Sequence, residues 1–192
     1  GHLGKWIMDS PVGNHTHKHI PKLMDLPPFN EDGVSISHSY IPWTDWSGLS
    51  AGKFGFPRAY YMTWNGGRAM PEFKNIQRVL AYSGARYGTK LKEEARRYFG
   101  SFFSFYTPGE MIPNKESFCE IDPQMKDRWG IPVLRMHFEW GEHELKQMEH
   151  QKVMVNALVD AIGGRTNAKE RPLIPRPGGA DNHEVGGARM SL

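Results

Sequence analysis

Most of the strand-forming runs in this chain are separated by turns and not by helices, and this order restricts the fold more than any other feature. Residues 34–40 alternate with a period of two, so Val34, Ile36, His38 and Tyr40 share one face and the serines the other. Residues 59–64 form a second run, ended by Asn65-Gly66-Gly67, a strong turn signal. Residues 102–106 and 117–121 follow, joined through Pro108-Gly109 and Pro113-Asn114. Residues 131–140 alternate Leu134, Met136, Phe138 and Trp140 against Arg135, His137 and Glu139. Parallel strands would need a crossover helix between most of these runs. The sequence predicts α+β: an antiparallel sheet of about five or six strands backed by a long helix.

The helix is predicted over residues 142–162. Leu145, Met148, Val155, Leu158, Val159 and Ile162 recur at helical spacing as one apolar stripe, Glu142 and Lys146 form an i,i+4 pair, and Gly163-Gly164 supplies the stop. Residues 90–99 read as a short charged helix stopped by Gly100, and residues 71–83 are ambiguous. Residues 3–8 have the pattern of a helical turn ended by Asp9-Ser10-Pro11, whereas the rest of residues 1–33 show little sustained periodicity. The three prolines and several glycines of residues 165–180 predict an irregular connector.

At 192 residues the chain suits one domain, assigned to residues 1–180, with residues 181–192 opening a further segment. Aromatic residues make up 12% and supply a core despite a hydrophobic share of only 39%. A net charge of +3 with both signs interspersed is a solvated surface and not a nucleic-acid footprint. The single Cys119 excludes an internal disulfide and a cysteine-based zinc site. No apolar run approaches the roughly 20 residues that span a bilayer. Localisation has no readable signal.

Three groups of residues carry candidate chemistry. His15, His17 and His19 alternate and would share a strand face, but a metal site normally draws ligands from other segments too, so no metal is assigned. Trp43, Trp46, Tyr61 and Trp64 are either core or stacking surfaces for a sugar ring, whereas residues 102–106 are read as packing and His143 and His150 as surface residues. Residues 182–190, Asn182-His183-Glu184-Val185-Gly186-Gly187-Ala188-Arg189-Met190, set a histidine at the mouth of a Gly-Gly turn, where backbone can pack close to a flat ligand.

This last stretch resembles the H-x-x-G-T-x-R-M-G signature of the glucose–methanol–choline (GMC) oxidoreductases. Residues 122–134, Asp-Pro-Gln-Met-Lys-Asp-Arg-Trp-Gly-Ile-Pro-Val-Leu, resemble the family's D-P-x-x-x-D-x-W-G-I-P-V run, which enters the last strand of its substrate domain ahead of a long helix ending in a double glycine. Residues 1–11, especially Gly4-Lys5-Trp6-Ile7-Met8-Asp9, resemble its G-x-N-L-x-D-H-P segment. The subgroup most similar is that of the bacterial sugar and gluconate dehydrogenases. Gly187 replaces the family's usual threonine, Ser191 its glycine and Ser10 its histidine.

The resemblance implies the substrate-binding portion of an FAD-dependent enzyme that oxidises a CH–OH group of an alcohol or sugar. It implies His183 as the proton-abstracting residue, Gly186 and Gly187 beside the flavin, and Arg135, His137 and Asn182 facing substrate. The sequence has no G-x-G-x-x-G after a strand, so FAD would be held by the remainder of the same polypeptide, as would a second catalytic His or Asn. An electron-acceptor subunit is a further partner the subgroup implies. The resemblance has Arg135 and His137 line the cavity above the flavin; the plainer reading makes them the solvated side of a strand whose apolar side faces the helix. The alternative function is a free-standing carbohydrate-binding or interaction module using exposed aromatics.

Overall fold

The computed structural model describes residues 2–27, 39–43, 54–66, 73–165, 175, 178 and 183–188. Among them the fold is α+β with antiparallel pairing throughout. A four-stranded sheet has the order β1-β4-β3-β2, built from β1 (Val12–His19), β2 (Ser39–Trp43), β3 (Tyr60–Gly66) and β4 (Phe102–Pro108). β5 (Phe118–Lys126) and β6 (Pro132–His137) form a separate two-stranded ribbon, where the sequence predicts one continuous sheet. The helices are α1 (Phe73–Ser83), α2 (Gly88–Arg97) and α3 (Glu142–Ala161). α1 resolves the ambiguity of residues 71–83. Of the expected strand at 34–40, residues 34–38 lie outside the described residues, and the irregular tail mostly does too.

α3 packs on β1, and the core forms where it crosses the sheet. Met62, Phe105, Val155 and Val159 are buried together, with Trp64, Phe103, Met154 and Leu158 packed against them. Each fully buried side chain of this size contributes about 2 kcal/mol through apolar area removed from water. The buried face of α3 differs from the predicted stripe. It comprises Glu144, Gln147, Met148, Gln151, Val155 and Val159, while Leu145 and Ile162 are exposed.

The reason is the surface that the first half of α3 covers. The bulged start of β1 and the turns around Pro11, Ala59 and Ile112 bring backbone N–H and carbonyl groups against the helix, and a buried polar group needs partners. The Gln151 side chain accepts from Gly13 N–H (2.6 Å) and from the Thr107 hydroxyl (3.1 Å), and donates to the Pro11 carbonyl (3.1 Å). Gln147 donates to the Ala59 carbonyl at 3.3 Å. The Glu144 carboxylate accepts from Ile112 N–H (2.8 Å) and Gly141 N–H (2.9 Å). The approach is close enough that a Cβ on Gly13 would meet the Met148 carbonyl, which is why glycine stands there.

Two further expectations are corrected. Residues 12–19 form β1, a strand of mostly polar residues whose pairing with β4 and cover by α3 are long-range facts that local periodicity does not carry. Residues 4–8 are bridged backbone on both sides and not a helical turn. Ile7 N–H donates to the Ser117 carbonyl (2.9 Å) and Cys119 N–H to the Gly4 carbonyl (2.7 Å), while Met8 and Val185 exchange both backbone bonds (2.8 and 3.0 Å). Those partners lie more than a hundred residues away and outcompete local helical bonding.

Candidate active site

Residues 183–188 run antiparallel beside residues 4–8. Gly4 N–H donates to the Gly187 carbonyl at 2.7 Å, and a bridge pairs Met8 with Val185. Gly186 has a φ of 100°, and a Cβ there would strike the Trp6 carbonyl. This strand contact and the positive φ account for glycine at this position. Around Gly187 the nearest atoms to an added Cβ are those of Ile7, at 3.6 and 3.8 Å.

The same register sets His183 opposite Ser10. The exposed imidazole has Nδ1 3.5 Å from the Ser10 hydroxyl and 3.4 Å from the Tyr106 hydroxyl. Tyr106 comes from β4, the strand between β1 and β3, and is half-buried, whereas Phe102 and Phe105 of the same run are core. Reading residues 102–106 as packing therefore missed its one polar tip. Ser10, noted in the sequence only as a departure from a family pattern, is the second missed neighbour. Beside it, buried Asp9 accepts the Ser10 N–H at 2.7 Å.

Arg135 and His137 lie on the ribbon, occupied with other groups. Arg135 Nη2 is 3.0 Å from Asp122 Oδ2, and His137 Nε2 is 3.0 Å from Glu120 Oε1. The His137 ring stacks on Phe118 with centroids 4.2 Å apart, and Lys5 Nζ sits 4.2 Å from the centroid of the same Phe118 ring. These contacts tie His137 to the segment that pairs with Gly187, but none of them is with His183. The opposite side of β6 is not helix-facing either: Leu134 and Met136 are exposed. Asn182 and Trp46 lie outside the described residues.

Residues 122–131 are held by their two aspartates. Asp122 Oδ1 accepts the N–H groups of Gln124 and Met125, both at 2.8 Å, and these bonds, with Arg135 next, hold its carboxyl below the usual carboxylate range. Asp127 Oδ1 accepts those of Trp129 and Ile131, both at 2.9 Å, while Asp127 N–H donates to the Ile131 carbonyl at 2.8 Å. The spacing D-P-x-x-x-D-x-W-G-I-P thus encodes a hairpin bend and its turn.

The remaining histidines divide. His19 is buried among the rings of Tyr82, Tyr98 and Phe102, with centroids 5.0 to 5.2 Å away. Burial, and then the Arg165 charge, push its pKa below the ordinary value. His150 is not a surface residue: it packs on Phe54 and Phe56, its Nδ1 is 2.9 Å from the Tyr60 hydroxyl, and burial lowers its pKa. His143 likewise turns inward, its side chain only 13% exposed. Among the described residues no group of three His, Cys, Asp or Glu is placed to hold a metal ion, and the side chains of His15 and His17 lie outside that set.

No protein-family model matches the chain, and no curated protein matches it.

Proposed function

We propose that the chain is the substrate-binding portion of an FAD-dependent GMC-type oxidoreductase that oxidises a CH–OH group of an alcohol or sugar, with His183 as the proton acceptor. The observation that carries this reading is a juxtaposition. Residues 4–8, 117–119 and 183–188, each in or beside one of the segments that resemble the family, are strand neighbours, although they come from both ends and the middle of the chain. The antiparallel sheet covered by α3 agrees with a substrate domain of that type.

The described residues fit the proton-transfer half of the chemistry and not the holding of FAD. In the direction a Cβ would take, Gly186 meets the Trp6 carbonyl, and the sequence has no G-x-G-x-x-G to cradle a pyrophosphate. On this reading the rest of the polypeptide holds the flavin, which supplies a hydride acceptor when bound. The chain's contribution is positional. Two hydroxyls converge on Nδ1 of His183, so the useful tautomer donates Nδ1–H to Tyr106 or Ser10 and leaves Nε2 free to accept the substrate hydroxyl proton. Distances of 3.4 and 3.5 Å are at the outer limit for such bonds and would tighten as substrate binds.

The test uses the polypeptide that carries this chain together with its flavin-binding part. His183→Ala is expected to retain the visible flavin absorption and to lower turnover by about 10²- to 10⁴-fold. Unchanged turnover, or a full-length protein without flavin, would overturn the proposal. A second reading, saccharide binding without flavin, is favoured by one observation: Tyr40 and Tyr61 are exposed and meet edge to face at 6.1 Å. Calorimetric titration of the chain with sugars separates the two, because only the second reading expects binding that Tyr61→Ala abolishes.

A further inference from the structure

The β5–β6 ribbon segregates its side chains. Its register places Phe118, Glu120 and Asp122 with Val133, Arg135 and His137 on one face, and Cys119 and Ile121 with Leu134 and Met136 on the other. On the first face the acids are matched, Asp122 to Arg135 and Glu120 to His137. The second face and the tip are open: Ile121, Met125, Trp129, Ile131 and Leu134 are between 61% and 69% exposed. Among the described residues, the ribbon meets residues 4–5 at its base through the Lys5–Phe118 bridge and the Cys119 N–H to Gly4 carbonyl bond.

The charges at the tip have one sign left over. Asp127 turns its carboxylate onto the N–H groups of Trp129 and Ile131. Lys126 and Arg128 are exposed, and neither belongs to a salt bridge among the described residues. The Arg128 guanidinium lies 3.9 Å from the centroid of the Trp129 ring. A tryptophan flanked by cations suits the boundary between headgroups and acyl chains, where its ring is half in apolar surroundings and each nearby basic residue strengthens binding to anionic lipid about fivefold.

We propose that this ribbon is a membrane-docking wedge: Met125, Trp129 and Ile131 enter the interfacial layer of a phospholipid bilayer, and Lys126 and Arg128 meet anionic headgroups. No helix among the described residues is long and apolar enough to cross a membrane, so the docking is peripheral. It is independent of the oxidoreductase reading. The test is flotation of the chain with vesicles of phosphatidylcholine alone and of phosphatidylcholine mixed with phosphatidylglycerol. Binding to the mixed vesicles is expected to exceed that to the neutral ones by at least about tenfold and to weaken with salt. Trp129→Ser and Arg128→Glu should each weaken it about tenfold. Thermal melts establish that the variants fold, and Lys126→Glu replaces any that does not. Absence of flotation with anionic vesicles would overturn the proposal, as would flotation that the tip variants leave intact. Self-association in lipid-free solution that Trp129→Ser abolishes would equally overturn it, assigning the face to a second copy.

Discussion

Gln151 shows at the scale of a single residue how this fold closes. Its amide links Gly13, Thr107 and Pro11, three points on different strands or turns, from one position on α3. Gln151→Ala leaves the Gly13 N–H and the Thr107 hydroxyl without this partner, while the Pro11 carbonyl keeps the Gly109 N–H at 3.1 Å, and each unsatisfied buried group costs about 1–3 kcal/mol. The expected loss is about 3 kcal/mol, because water enters part of the vacated space. Urea unfolding measures it as a lower midpoint at unchanged slope. Farther along α3, Asn156 accepts from the Lys18 amine at 3.1 Å, so the same helix also meets a cation of β1. The site residues were unevenly legible at this scale. His183 and the glycines were visible from their motif, but Ser10 and Tyr106 carry no local signal, because their meeting with His183 spans 173 and 77 residues.

Among the elements, α3, β3, β4 and β6 were legible from periodicity, and their observed bounds lie close to the expected ones. β1 was not: its residues are mostly polar, and it is a strand because β4 and α3 surround it. The predicted face of α3 failed for the complementary reason, since the sequence shows which residues are apolar but not that the covered surface carries backbone polar groups. The ribbon and the four-stranded sheet also differ in pairing and burial. β4 is paired on both edges and buried, whereas β6 is paired with β5 and mostly exposed. Amide hydrogen exchange is therefore expected to be fast over Pro132–His137 and slowest over Phe102–Pro108. Equal protection of the two strands would show that the ribbon is held by contacts other than its own.

At the scale of the whole molecule, pH acts through histidines that folding removes from water. Burial lowers the pKa of both His19 and His150 from 6.5. Below that value the unfolded chain binds protons that the folded chain refuses, so stability is complete above it and falls as the pH drops through the window beneath. Melting temperatures are expected to decrease between about pH 7 and pH 5, before carboxylates titrate. Replacing His150 with Phe should flatten the decline; an unaltered slope would assign it to other groups. Assembly order is fixed at this scale too. Among the described residues Met8 exchanges its backbone bonds with Val185. During synthesis one edge of residues 4–8 can pair once residues 117–119 have emerged, whereas the Met8 edge stays solvated until Val185 has left the ribosome. The contact that sets His183 against Ser10 closes a separation of 173 residues, so it can form only after the segments of the sheet and α3 have been synthesised.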